Sequence, residues 1–155
     1  MGIVHCLSVA SLRLEETDTL LRQGLLTSAG IIFSFAVEEY GKGMLFKSAW
    51  DGGLDPAPIE GFYDHNTKLE AAARNIPVEY LRLIASAFGA GDYGAGPYGG
   101  SKPVDLDDRL SGLYVDWKNG RWTHGVHVEP EVLAQSSRGL QAYIATAMIE
   151  WTMTN

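Results

Sequence analysis

The chain has 155 residues, 46% of them apolar and 20% charged, proportions that are usual for one compact domain with its own core. A net charge of −7 excludes broad electrostatic attachment to nucleic acid but leaves room for a small local RNA site. Cys6 alone cannot form an internal disulfide, and the main apolar run, Leu25 to Val37, is too short to span a membrane, so we expect one soluble, cytoplasmic domain over residues 1–155.

The first third of the chain predicts two amphipathic helices that are separated at Gly24. The first runs from about Ile3 to Gln23 and the second from about Leu26 to Trp50, where Asp51-Gly52-Gly53 stops it. Apolar residues recur in both at spacings of three and four. The predicted inward faces are Leu7, Ala10, Leu14, Thr17 and Leu21 in the first helix, and Leu25, Ala29, Ile32, Ala36, Glu39, Gly43, Phe46 and Trp50 in the second.

Two shorter helices are predicted next. One begins at Ile59 or Phe62 and ends at Asn75, and the other begins at Pro77 and ends at Gly89. Residues 89–103 are rich in glycine and are predicted to be a loop, too long to be a simple connector. The predicted inward residues are Phe62, His65, Leu69, Ala72 and Ile76 in the first of these helices, and Leu81, Ile84 and Phe88 in the second.

The last third predicts a hairpin and a long helix. Asn119-Gly120 favours a type I′ turn, which pairs Lys118 with Arg121 and Trp117 with Trp122 inside a hairpin over residues 113–126. Glu129-Pro130 then opens the last helix, whose predicted inward residues are Leu133, Leu140, Ile144, Ala147 and Trp151. The expected fold class is all-α, an antiparallel bundle of four to five helices with a small β-hairpin insertion.

Two polar residues on apolar helix faces are the main internal indication of a site. Burying Glu39 as an isolated charge would cost several kcal/mol, so it requires a partner. Lys42, one turn further on, and His65, on the third helix, are the candidates, and Lys42 is also spaced to pair with Glu38. Two interpretations stay open: a satisfied structural ion pair beside a core histidine, or a polar pocket between the two helices.

Other kinds of chemistry find little support. The Glu-x-x-His pairs of di-metal bundles are absent, and Gly94 to Gly99 matches a dinucleotide-binding motif only formally, since it follows a helix and contains Pro97. Cys6 has no evident catalytic partner. We therefore expect neither a metal nor a cofactor.

A second cluster of candidate residues lies between the hairpin and the last helix. Arg121, His124 and His127 stand within seven residues of one another, and an arginine with a histidine can bind a phosphate and transfer a proton. Metal-independent cleavage of RNA requires those two abilities. The alternative interpretation is a set of exposed hairpin residues without a catalytic role.

Three ordered sequence blocks resemble the AbiV family of abortive-infection proteins. The first is Ala29 to Met44, whose Glu38-Glu39-Tyr40-Gly41-Lys42 is similar to the family's Glu-Glu-x-Gly-Lys signature. The second is His65-Asn-Thr-Lys68, which resembles the family's H-x-x-K. The third is Asp108 to Asp116, with Arg109 and Tyr114-Val-Asp116, followed by the Asn-Gly turn and Trp122. Together they extend over about residues 8–130.

The resemblance implies a HEPN-type fold, which is helical and usually dimeric. Many HEPN proteins are metal-independent endoribonucleases with an R-x(4–6)-H motif whose arginines and histidines meet across the dimer. Arg121 and His127, with five residues between them, fit that spacing, although Trp122 replaces the usual polar residue. The other candidates are the signature residues, which either form the site or hold the fold. The implied catalytic set is Glu39, Lys42, His65, Arg109, Arg121 and His127, and the implied substrate-binding set is Lys68, Tyr114 and Asp116.

Two functions follow as expectations. One is an antiphage toxin that cleaves RNA or blocks translation, acting as a homodimer and responding to a phage activator protein. The other is a non-catalytic dimer that binds a phage or ribosomal partner. The acidic net charge and a set of aromatic side chains favour this second function. Those aromatics are Tyr93, Tyr98, Trp117 and Trp122. Neither interpretation predicts a membrane partner.

Overall fold

A computed structural model describes residues 2–53, 62–77, 79–80, 83–84, 116–118, 121–123 and 128–154. These contain four long helices, α1 (Gly2–Arg22), α2 (Leu26–Asp51), α3 (His65–Asn75) and α4 (Pro130–Thr154), and two short strands, β1 (Asp116–Lys118) and β2 (Arg121–Thr123). The all-α class predicted from the sequence is confirmed. None of the described helices is long and apolar enough to cross a membrane.

The break between α1 and α2 is a Schellman motif at Gly24. This residue has φ +71°, its amide donates to the Leu21 carbonyl at 3.0 Å, and the Leu25 amide donates to the Leu20 carbonyl at 3.0 Å. The two helices then pack antiparallel, because Gly2 lies beside Phe46 and Leu7 beside Gly43. The predicted break and both helices are confirmed, with ends within one residue of the expected positions.

α2 is the central element, since it contacts α1, α3 and α4. A helix that is enclosed in this way buries more than one face. The single inward face predicted from the sequence is therefore wrong in part: Leu25 and Trp50 are about half exposed, whereas Phe33, Val37 and Tyr40 are buried. The remaining helices follow their predicted faces more closely. Their fully buried members include Leu7, Leu14, Ala72, Leu133, Leu140 and Ile144.

α3 starts later than the sequence predicted. Asp64 is its N-cap, and the carboxylate accepts hydrogen bonds from the Thr67 backbone amide at 2.7 Å and from the Thr67 hydroxyl at 2.8 Å. A cap of this kind fixes the first turn of a helix, whereas apolar spacing alone does not. His65 consequently becomes the first residue of α3, and Phe62 precedes the helix in a turn.

The other predicted elements are described in part. Residues 79–80 and 83–84 are helical, Ile84 is fully buried, and the Tyr80 ring lies 5.3 Å from that of Tyr143 on α4. β1 and β2 pair antiparallel with Trp117 opposite Trp122, which is the register that the sequence predicted. The turn at residues 119–120 and the loop at 89–103 lie outside the described residues, so their predicted conformations stay predictions.

Candidate functional site

The candidate site is a charged cluster where α3 packs on α2. One carboxylate oxygen of Glu38, Oε2, lies 2.6 Å from Nδ1 of His65 and 3.1 Å from Nζ of Lys68. Glu38 belongs to the first of the three sequence blocks, and both of its partners belong to the second. Two blocks that are 27 residues apart in the chain thus meet at a single atom.

The three side chains differ sharply in burial. Glu38 and Lys68 retain only 7% and 10% of their side-chain exposure, whereas His65 retains 44%. A carboxylate buried to this degree requires compensation by opposite charge and hydrogen bonds. The buried ammonium group of Lys68 supplies the positive charge that compensates Glu38. The His65 imidazole is the member of the cluster that reaches solvent.

The arrangement follows from the start of α3. Residues three apart on a helix share a face, so His65 and Lys68 both point toward α2. The Asp64 cap fixes the first turn, and with it the direction of the His65 side chain. His65 was expected to face Glu39, but its imidazole contacts Glu38, in the middle of α2.

The close approach of α2 and α3 depends on Gly41. A Cβ at this position would overlap the backbone carbonyl oxygen of Lys68 and come within 3.1 Å of the Ala72 amide nitrogen. Tyr40, next to it, donates its hydroxyl to the Asn75 carbonyl at 3.3 Å. Burial raises the pKa of Tyr40 to about 12, so the phenol stays protonated and keeps this donor at neutral pH. The Tyr40-Gly41 pair therefore holds α3 against α2.

The prediction that Glu39 is the buried carboxylate is wrong, because Glu38 takes that place. Glu39 retains 24% of its side-chain exposure and pairs with Lys42, whose Nζ lies 3.4 Å from Glu39 Oε1. Lys42 also lies over the Phe62 ring, 4.7 Å from its centroid. Glu39 and Lys42, which the sequence placed in the catalytic set, form a second pair at the edge of the cluster.

His65 is suited to proton transfer. With Nδ1 held by the Glu38 carboxylate, a neutral imidazole carries its proton on Nδ1 and presents Nε2 as a base. A partly exposed imidazole that is oriented by a carboxylate has the geometry that a general acid–base group needs.

Lys68 was expected to bind substrate, but it is buried and its ammonium group is engaged by Glu38. It therefore contributes to the cluster through Glu38. Among the described residues, no three His, Cys, Asp or Glu side chains are grouped so that they could hold a metal ion.

Several candidates lie outside the described residues: Arg109, Tyr114, His124 and His127. Asp116 is the first residue of β1 and Arg121 the first of β2, and for both the description is limited to the backbone. Their predicted roles stay predictions.

Glu38 was not among the site residues predicted from the sequence, although the sequence contains a signal for its burial. Gly30, Ser34, Glu38 and Gly41 follow one another at spacings of four, four and three, and all four are buried. Small residues in such a row mark a face where another helix approaches closely. A carboxylate within that row is better placed for burial than one on the neighbouring face.

Cys6 lies on the other side of α2 from α3, beside Gly43. Burial, together with the negative charge of Glu39, raises the pKa of its thiol to about 11. Since the thiolate is the nucleophilic form, Cys6 is unreactive at neutral pH. It is a core residue.

No known protein family matches the chain, and neither a curated protein nor a solved structure shows significant similarity to it.

Proposed function

We propose that the chain is an abortive-infection antiphage protein of the AbiV type on a HEPN-like helical scaffold, and that His65 transfers a proton during metal-independent cleavage of RNA. One observation carries the chemical part of this proposal: His65 Nδ1 lies 2.6 Å from the buried Glu38 carboxylate while the imidazole stays open to solvent. The resemblance of three sequence blocks supports the biological part.

The proposed step uses the 2′-hydroxyl of RNA as the nucleophile. Nε2 of His65 accepts the 2′-hydroxyl proton, the 2′-oxygen bonds to the adjacent phosphorus, and the bond from phosphorus to the 5′-oxygen breaks. That 5′-oxygen takes a proton from water or from a second acid. Arg109, Arg121 and His127 are the sequence-based candidates for binding the phosphate and supplying that acid, in the same chain or across a homodimer.

A second function has its own support. Gly41, Tyr40 and Lys68 all contribute to holding α3 on α2, so the resemblance at these positions has a purely structural explanation. On that basis the chain is a non-catalytic dimer that binds a phage protein or a component of the translation machinery. The RNA-cleavage function requires the His65 imidazole for proton transfer, whereas the binding function does not.

A phage-protection assay separates them. Cells that express the chain are challenged with phage, and protection is compared among wild type, His65→Ala and His5→Ala. His5 is a matched control, because it is an exposed histidine on α1. The RNA-cleavage proposal predicts that His65→Ala abolishes protection at unchanged protein level and that His5→Ala retains it. Full protection by His65→Ala would leave the binding function as the better account.

A further inference from the structure

A set of aromatic side chains lies immediately before α3. The Phe62 ring is 4.9 Å from the Phe46 ring and 5.2 Å from the Tyr63 ring, with interplanar angles of 64° and 89°. Lys42 covers Phe62 at 4.7 Å. Phe62 is therefore held from several sides, and it in turn holds Tyr63 in an edge-to-face contact.

Tyr63 itself is 85% exposed, and it is the most exposed large apolar side chain among the described residues. Aromatic side chains are usually at least partly covered in a folded domain, because their large apolar area is costly to leave in water. An ordered contact on one side of Tyr63 together with such exposure on the other leaves a ring surface available for a planar ligand.

This surface is next to the candidate site. Tyr63 precedes His65 by two residues, which places their Cα atoms at most about 7 Å apart. The two are also connected through contacts, since Phe62 lies under Lys42, Lys42 pairs with Glu39, and Glu39 adjoins Glu38. A ligand on Tyr63 would therefore be bound two residues along the chain from His65, at the start of α3.

We propose that Tyr63, held by Phe62, is a stacking platform for an unpaired nucleobase of the RNA that His65 cleaves. The inference rests on the proposed function and adds a specificity: bases in a duplex already stack on each other, so only an unpaired base can stack on Tyr63. Stacking also suits a chain with net charge −7, which gains little from general attraction of phosphates.

The experiment measures binding separately from cleavage. A short single-stranded RNA with 2′-O-methyl groups, which cannot be cleaved through the 2′-oxygen, carries 2-aminopurine as a reporter of stacking. We expect Tyr63→Ala and Tyr63→Leu to weaken binding about tenfold and to lose the fluorescence quenching. Tyr63→Phe, which keeps the ring, is expected to bind like wild type.

Leu25→Ala serves as the remote control. Leu25 is also an exposed apolar residue, but it is the N-cap of α2 and stands 21 residues before Phe46, a distance of about 30 Å along the helix. Its substitution should leave binding unchanged. Equal binding by wild type and Tyr63→Ala would overturn the inference, as would equal binding by Tyr63→Leu or the absence of any binding by wild type.

Failure of the inference and failure of the proposed function give different results. If wild type cleaves unmodified RNA and Tyr63→Ala cleaves it with the same KM, the platform is refuted and the function stands. If wild type binds the oligonucleotide through Tyr63 but cleaves nothing, the platform stands and the catalytic function is refuted.

Discussion

At the scale of single residues, Glu38 and Glu39 are neighbours in the sequence with different roles. Glu38 is buried and compensates the charge of Lys68, whereas Glu39 lies at the edge of the cluster and pairs with Lys42. Consecutive helical residues point about 100° apart, so one of the two faces α3 and the other does not. The energetic importance of the two carboxylates should differ accordingly.

Glu38→Gln should lower the free energy of unfolding by about 3 kcal/mol, because it leaves the Lys68 ammonium buried without a countercharge. Glu39→Gln, the matched control on the adjacent residue, should cost less than about 1 kcal/mol, since its ion pair is partly solvated. Urea denaturation of both variants, with unchanged slope, measures the difference.

The double variant Glu38→Leu/Lys68→Met completes this test. Replacing both charges with apolar groups of similar size should recover most of the lost stability, as is common for buried ion pairs. Equal effects of the two Glu→Gln substitutions would contradict the assignment of Glu38 as the buried acid.

The sequence placed His65 opposite the two adjacent glutamates of α2, but it selected Glu39 and not Glu38 as the buried partner. The reason is physical: α2 is covered on several sides, so apolar spacing does not single out one face. A shift of one residue in the chosen face exchanges Glu38 for Glu39. Because Glu39 was chosen in place of Glu38, the ion pair between Glu38 and Lys68 was not predicted either.

At the scale of elements, α3 is positioned on α2 by the close approach at Gly41. Gly41 permits backbone contact with α3 at Lys68, and Gly43 faces α1, where an added Cβ would lie 3.2 Å from a Leu7 methyl group. A methyl group on a flexible side chain can move, whereas the α3 backbone cannot do so without displacing the helix. These two glycines therefore differ in their tolerance of substitution.

Gly41→Ala should be destabilising by about 2 kcal/mol relative to Gly43→Ala. Both substitutions bring the same gain in helix propensity on the same helix, so that term cancels in the comparison. Chemical denaturation of the two variants provides the measurement. Equal stability of the two would show that α3 does not approach α2 as closely as described.

The boundaries of α1 and α2 were predictable because Gly24 and Gly52-Gly53 mark them in the sequence. The start of α3 was not, because two apolar patterns, from Ile59 and from Phe62, fitted equally well. Asp64 fixes the start of α3, because its carboxylate accepts a hydrogen bond from the Thr67 amide and so caps the helix. Capping depends on the conformation of one side chain, and the spacing of apolar residues contains no information about that conformation.

At the scale of the whole molecule, a helical class was predictable from patterning, while the arrangement of the site required tertiary contacts. The packing also has a consequence for stability at high pH. Cys6 on α1 and Tyr40 on α2 are both buried, and burial raises the pKa of each, from 9.0 to about 11 and from 10.0 to about 12.

The sign of the pH effect follows from these shifts. A group whose pKa is higher in the folded state than in the unfolded state contributes stability below its unfolded pKa and loses it as the pH rises through its folded pKa. The free energy of unfolding should therefore fall between pH 9 and about 12. Denaturation across this range, with Tyr40→Phe showing a shallower decline, checks it. A flat profile would contradict the burial of these two groups.

The central claim is that His65, oriented by Glu38, transfers a proton in the cleavage of RNA. The most direct measurement is the single-turnover cleavage rate of a single-stranded RNA with excess chelator, compared between wild type and His65→Ala at equal folded fraction. The account predicts cleavage by wild type and a loss of about 100-fold or more in the variant, the usual contribution of a general acid–base group. Cleavage by His65→Ala at the wild-type rate, or none by wild type, would contradict it.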